Sequence, residues 1–362
     1  MTGFALYRLP YEQQVTLVTQ NGDEPLELPS FEALNGQTGF VVAPFSISDT
    51  CPLVLIRPDL VRSFSSSFEC SLDRDVLSLA EKRPSSAQET ACLNRDTYSD
   101  DFSRFFAGLS DGRFSKLVLS RCAEQSGNQN HQPLNLFQRA CEMYPRMFIS
   151  LVYTPQSGMW LTATPEILLE GINNQWRTIA LAGTMKLEGD DLLGEGENMT
   201  WSTKNIQEQR YVATYLTNCL EHVADEIHEE GPRTVRAANL VHLRSDFTFT
   251  LYNNTRVGEV LQLLHPTPAV CGLPKKEAYD FILDNEHTPR LYYSGFMGPL
   301  NFKSPTSNLQ SQTHLYVSLR CMQITDSLYR LYAGGGLLKD SVEDQEWMET
   351  EAKMETMRRV IG

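Results

Sequence analysis

The sequence predicts an α+β fold. Short apolar runs bounded by turn residues recur along most of the chain and read as strands. Two longer stretches instead carry apolar residues at helical spacing. The two kinds of segment do not alternate, which excludes a doubly wound parallel sheet.

Residues 15–18, 39–42 and 53–56 are strand-like, within a first section of about 80 residues. The stretch 82–94 is polar and serine-rich and reads as a surface connection. Asp96 is placed to cap a helix carrying Tyr98, Phe102, Phe105, Phe106 and Leu109. Strands are expected next at 116–121, 147–153, 158–162 and 166–170. A long helix is expected from about 202 to 228, its apolar stripe formed by Val212, Leu216, Cys219, Leu220, Val223 and Ile227. Further strands are read at 247–252, 315–319 and 328–333. A last helix is expected to start near Ser341, where Ser341-Val342-Glu343-Asp344 resembles a capping box.

The chain of 362 residues is long enough to bury a sizeable core and is read as a single large domain spanning 1–362. Its formal charge of -14 argues against a nucleic-acid backbone or an anionic membrane as partner. An anionic substrate would therefore need positive charge gathered locally. The N-terminus lacks the pattern of a signal peptide, and no apolar run is long enough to span a bilayer. A cytoplasmic protein is the expectation. The 8 cysteines are scattered with no CxxC pair, so free thiols are expected rather than disulfides. No feature calls for an obligatory protein partner.

Several residues could carry chemistry. Lys116 shares a strand face with Val118 and Ser120; alone, a lysine there more often snorkels to solvent than acts as a base. Glu166 follows Pro165 at a strand start, where an ordinary edge glutamate is the commoner reading. A base and an acid facing each other would suit a hydroxyl exchange. Glu208 lies on the buried stripe of the long helix with Val212, Tyr215 and Cys219, so it needs a partner: Arg, Lys or a metal. Glu346, Glu349 and Lys353 fall near one face of the last helix, where Glu349 and Lys353 also make an ordinary i,i+4 pair. Glu208 and Glu349, from different helices, would suit Mg²⁺. The run Gly334-Gly335-Gly336 is expected to join a strand to the region before the last helix and to let backbone N–H groups approach an anion. Arg320 is a candidate carboxylate clamp on the preceding strand.

Taken together, Ser115-Lys116-Leu117-Val118-Leu119-Ser120-Arg121, His265-Pro266-Thr267-Pro268-Ala269-Val270 and Glu346-Trp347-Met348-Glu349-Thr350 resemble the chorismate-utilising enzymes. Leu181-Ala182-Gly183-Thr184, Leu240-Val241-His242-Leu243 and Arg290-Leu291-Tyr292-Tyr293-Ser294-Gly295 extend the likeness, which covers 98–362. The resemblance implies the chorismate-binding fold of mixed, mostly antiparallel sheets with surrounding helices, which residues 1–95, matching no motif, are expected to complete. Lys116 and the His-Pro-Thr segment are most similar to the isochorismate synthases; a salicylate synthase and a non-catalytic chorismate-binding protein are the alternatives. The resemblance implies Lys116 as base, Glu166 as acid, and Mg²⁺ held by Glu208 and Glu349 with Glu346 in support. It further implies that Ala182, Gly183, Thr184, His242, Thr267, Arg320, the glycine run and Lys353 bind chorismate. Asn205 and Gln209 depart from the family's usual Asp and His beside the metal ligand, Leu291 from its usual glycine, and Phe296 from its usual proline.

Overall fold

Strand alternation and helical stripes in this chain produce a four-layer arrangement, two sheets face to face with helices on both outer faces. The computed structural model describes residues 1–65, 92, 94–126, 132–187, 199–237, 240–303, 311–326 and 328–362. Most of the surface connection expected at 82–94 lies outside these residues.

The first strands are β1 (Gly3–Arg8), β2 (Gln14–Gln20), β3 (Leu26–Leu28), β4 (Gly39–Ala43), β5 (Leu53–Ile56) and β6 (Leu60–Ser65). Next come β7 (Lys116–Ser126), β8 (Phe148–Thr154), β9 (Gly158–Thr164), β10 (Ile167–Ile172), β11 (Gln175–Lys186), β12 (Ala224–Ala237) and β13 (Leu240–Leu251). The last are β14 (Gly272–Leu273), β15 (Phe296–Leu300), β16 (Phe302–Lys303), β17 (Ser311–Val317), β18 (Cys321–Ile324) and β19 (Leu328–Leu337). The helices are α1 (Arg95–Ser110), α2 (Pro133–Met143), α3 (Thr203–Leu220), α4 (Val257–Leu264), α5 (Lys275–Asn285) and α6 (Glu343–Ile361).

One sheet runs β14-β7-β19-β18-β9-β8-β1-β2-β6, the other β12-β13-β11-β10-β17-β15-β4-β5-β3, with β16 paired to β17. The pairings are antiparallel. Between the sheets pack Tyr7, Phe40, Phe148, Trp160, Tyr316 and Tyr332. Phe148 and Tyr316 stack there at 4.4 Å, each from a different sheet, a contact worth about 1 kcal/mol beyond its burial. α3 and α4 cover the outer face of the second sheet, through Val212, Leu216, Val260 and Leu264. α2 and α6 cover the first, through Leu136, Phe137, Met354 and Met357. No helix among the described residues is long and apolar enough to cross a membrane.

Several expectations are corrected. The long helix stops at Leu220, and Val223 and Ile227 belong to a turn and to β12. β12 is an edge strand whose mostly polar residues hide its character; its backbone bonds go to β13. The last helix begins at Glu343 without a side-chain cap, because the Ser341 hydroxyl accepts from the Leu338 N–H instead. Asn94, not Asp96, caps α1, accepting from the Thr97 N–H. The glycine run is no connecting loop: it continues β19, with Gly334 opposite Ser120 and Gly336 opposite Val118 on β7. Arg320 stands in the tight turn between β17 and β18, at φ 47°, and not on a strand. Cys92 and Cys122 form a disulfide, where free thiols were expected; the fold sets β7 beside the segment leading into α1, across a separation of 30 residues. Cys51, Cys141, Cys219, Cys271 and Cys321 are free.

Candidate active site

Lys116 opens β7 and is fully buried. Its Nζ lies 3.0 Å from Glu208 Oε1 but is not aligned for a hydrogen bond, so the contact is electrostatic. Glu208 comes from α3, whose N-terminus Ser202 caps by accepting from the Asn205 N–H. Its other oxygen accepts from the Gly183 N–H at 3.2 Å. Burial acts to raise the Glu208 pKa, yet Lys116 and Lys353 outweigh it and hold the carboxylate below its ordinary range.

The glycines of β19 clear the space for this meeting. A Cβ at Gly336 would fall 2.1 Å from Glu208 Oε1 and 3.1 Å from Lys116 Cε. One at Gly334 would fall 2.7 Å from the Tyr293 hydroxyl. Gly335 points the other way, toward Glu346 on α6. The register of β18 with β19 ends at Tyr332, so among the described strands the glycine run keeps one edge open.

Two further lysine–glutamate pairs join the first. Lys204 of α3 binds Glu346 of α6. On α6, Lys353 donates to Glu349 Oε1 at 2.7 Å and to the Gly334 carbonyl at 2.9 Å. The i,i+4 pair expected from the sequence is therefore present, but turned into the protein. Glu346 is buried with Oε2 unpartnered; burial, and then Glu349, raise its pKa against the pull of Lys204.

Glu166 sits just before β10, buried, with its carbonyl accepting from the Val317 N–H. Burial lifts its pKa to about 7, opposed by Lys116, Arg320 and Lys353. It is thus held partly as the neutral acid near neutrality. His242 on β13 places Nδ1 at 3.1 Å from the Gly183 carbonyl and Nε2 at 2.9 Å from Arg320 Nη2. Nδ1 can only donate to that carbonyl, so Nε2 is left to accept from the guanidinium. Burial, with Arg320 and Lys353 adding to it, lowers the His242 pKa well below its ordinary value, which fits this neutral form. Arg320 Nη1 remains buried without a partner.

These side chains surround a small hollow of about 50 Å³. Its wall includes Glu166, Ala182, Gly183, Thr184, Glu208, His242, Arg320, Gly334, Gly336 and Lys353. Lys116 lies directly behind, against Gly336 and Glu208. Thr267 is buried nearby with an unpartnered hydroxyl, but Ala269 and Val270 form the wall in its place. Gly335, Glu346 and Glu349 stand outside the wall. Tyr293 and Tyr332, stacked at 5.7 Å, also line the hollow; the sequence marks neither for the site, although Tyr293 lies within Arg290-Leu291-Tyr292-Tyr293-Ser294-Gly295. Gln209, one of the departures, donates to the Ala180 carbonyl and accepts from the Ala182 N–H, pinning α3 to β11.

A buried glutamate held partly neutral, a buried lysine and a guanidinium with one nitrogen unpartnered meet at one hollow, an arrangement suited to an anionic small molecule. The chain belongs to the chorismate binding enzyme family, whose profile matches residues 41–362. It is similar to isochorismate synthase EntC of Escherichia coli, 26% identical over 278 residues, covering 76% of this chain and 69% of that protein. It is 31% identical to isochorismate synthase MenF of the same species over 70% of this chain and 57% of that protein. The solved structure of that menaquinone-specific enzyme superposes with a TM-score of 0.77 over 99% of this chain and 89% of its own, at 21% identity. Anthranilate synthase component I of Streptococcus pneumoniae shares the fold at a TM-score of 0.69, over 99% of this chain and 92% of its own, at 15% identity.

Proposed function

We propose that this protein is a cytoplasmic, Mg²⁺-dependent isochorismate synthase, which exchanges the C4 hydroxyl of chorismate for one at C2. The observation that carries the reading is the placing of Glu166, a buried carboxyl held partly neutral near pH 7, and the buried Lys116 side chain around one hollow. Lys116 takes a proton from a water attacking C2, and the ring double bonds shift as the C4–O bond breaks. Glu166 gives its proton to the departing hydroxyl, which leaves as water, so the overall change is an isomerisation. The step takes Lys116 as the free amine, released from its contact with Glu208.

Arg320, fixed by His242 and with Nη1 unpartnered, is suited to a substrate carboxylate. Lys353 adds a second positive charge. The hollow is smaller than chorismate, so substrate carboxylates displace some of the contacts that these cations now make with the protein. Among the described residues no three Asp, Glu, His or Cys side chains converge as a ready-made metal cage. The donors nevertheless fit Mg²⁺, which commonly takes only one or two protein carboxylates. The unpartnered Glu346 Oε2 marks unused acceptor capacity beside Glu349. Glu208 and Glu349 would hold the ion, with Glu346 in support, and the ion would offset the negative charge of the substrate.

The test is to incubate the purified protein with chorismate, with and without Mg²⁺, and to separate the products. Mg²⁺-dependent isochorismate without pyruvate is expected. Salicylate with pyruvate would move the chain to the salicylate synthases, and untouched chorismate would leave a binding role.

A further inference from the structure

The mechanism above leaves a cationic face of the second sheet unused. On β13, His242 is followed on the same face by Arg244, two residues and roughly 7 Å further along the strand. The cross-strand pairing sets Val235, His242 and Thr184 in one row, and Arg233, Arg244 and Leu181 in the next. The first of these rows contributes His242 and Thr184 to the catalytic hollow. Arg233 and Arg244 both bind Asp246, so two guanidinium groups share one carboxylate. Further along the same face Arg177 binds Glu170.

These arginines line an open groove of about 1100 Å³, which shares Pro165 and Leu181 with the wall of the hollow. In a chain of net charge -14 such a grouping stands against the overall field. Glu12, Glu170 and Glu226 also stand in the groove's wall but are outnumbered by five arginines. An excess of one sign of charge in a cleft concentrates counter-charged ligands and speeds their association. A guanidinium that has given two donors to Asp246 still has others to offer.

We propose that this arginine face is a capture site for a dicarboxylate substrate, which lands on Arg233 and Arg244 and passes along β13 to His242 and Arg320. The inference rests on the synthase reading for the identity of that dicarboxylate. The groove has the room that the hollow lacks, so the ligand loses its water shell in stages and meets a cation at each.

The test measures kcat/KM for chorismate with Mg²⁺ at low and high salt in four proteins: wild type, Arg233→Gln, Asp246→Asn and Arg57→Gln. At low salt Arg233→Gln is expected to lower kcat/KM about fivefold and Asp246→Asn to raise it by a similar factor. Arg57→Gln removes the same charge from an exposed pair with Asp23 and is expected to change nothing. The differences should collapse at high salt, because exposed charges are screened. Opposite shifts in the first two variants cannot come from damage to the fold, which would lower both. Equal values for all four proteins, or an equal loss in Arg57→Gln and Arg233→Gln, would overturn the capture site. If the wild type itself fails to turn chorismate over, the synthase reading falls, and the capture site with it.

Discussion

Arg290 and Glu286 together complete an edge of β7 that no strand among the described residues covers. β14 pairs only with Lys116 and Leu117. Beyond it, Glu286 Oε1 accepts from the Ser120 N–H at 2.6 Å, and Arg290 Nη2 donates to the Val118 carbonyl at 2.7 Å. Arg290 Nη1 reaches the Val270 carbonyl at 2.6 Å, and the two side chains bind each other at 2.5 Å. A buried ion pair thus does the work of a neighbouring strand, and fixes Val118 and Val270 in the wall of the hollow.

Replacing Arg290 with Met leaves Glu286 buried without its counter-charge. The expected loss of stability is about 3–5 kcal/mol, measured by urea denaturation. Arg290→Lys keeps the charge but not the fork and should recover only part of it. Full stability in Arg290→Met would mean that the edge is held some other way.

Lys116→Ala removes the proposed base from the start of a strand whose backbone pairing does not need the side chain. Turnover is expected to fall about 10²–10⁴-fold while the circular dichroism spectrum stays the same. Unchanged turnover would sink the assignment.

Glu166 makes a prediction about pH in two senses. Its pKa rises from 4.5 in the unfolded chain to about 7 in the fold, chiefly through burial. Between these values the folded state binds the extra proton, so stability falls as pH rises through that window. Above it the full cost, about 3 kcal/mol, is in place. Glu166→Gln should therefore be more stable than the wild type at pH 8 and no more stable at pH 4, while losing most activity. In the wild type, activity should decline above about pH 7, where the acid is ionised.

Gly336→Ala places a methyl where Glu208 Oε1 now lies. Either α3 or β19 has to yield, and both carry site residues. A loss of turnover of about 100-fold or more is expected, together with weaker Mg²⁺ dependence in a titration of activity. Gly335→Ala comes no nearer than 3.1 Å to Glu346 Oε2 and should be milder.

The fold class and most central strands were legible because their apolar runs are buried, uninterrupted in β5 and broken only by Ser150 between Phe148 and Tyr153 of β8. β12 was not, since an edge strand with mostly polar residues has no apolar period to read. At the site, the residue types were legible but not the pairings. Lys204 meets Glu346 and Arg320 meets His242 across sequence separations of 142 and 78 residues, and Lys116 meets Glu208 from a different element again. Nothing in spacing encodes those distances. The glycine run misled for a related reason: glycine there makes room for carboxylates on α3 and α6, a need that arises only once the sheets and helices are packed.

The place of the first strands has a practical consequence for anyone trimming this protein. Motif resemblance starts near residue 98, which invites a shortened catalytic fragment. Yet β1 lies against β8, and β4 lies against β15. Cutting the chain ahead of α1 would bare both of those edges as rows of unpaired N–H and C=O groups, a template for pairing with other chains. It would also strip Phe4 and Leu17 from one apolar layer and Phe40 and Val54 from another. Such a fragment would keep the hollow's side chains on paper and precipitate in the tube.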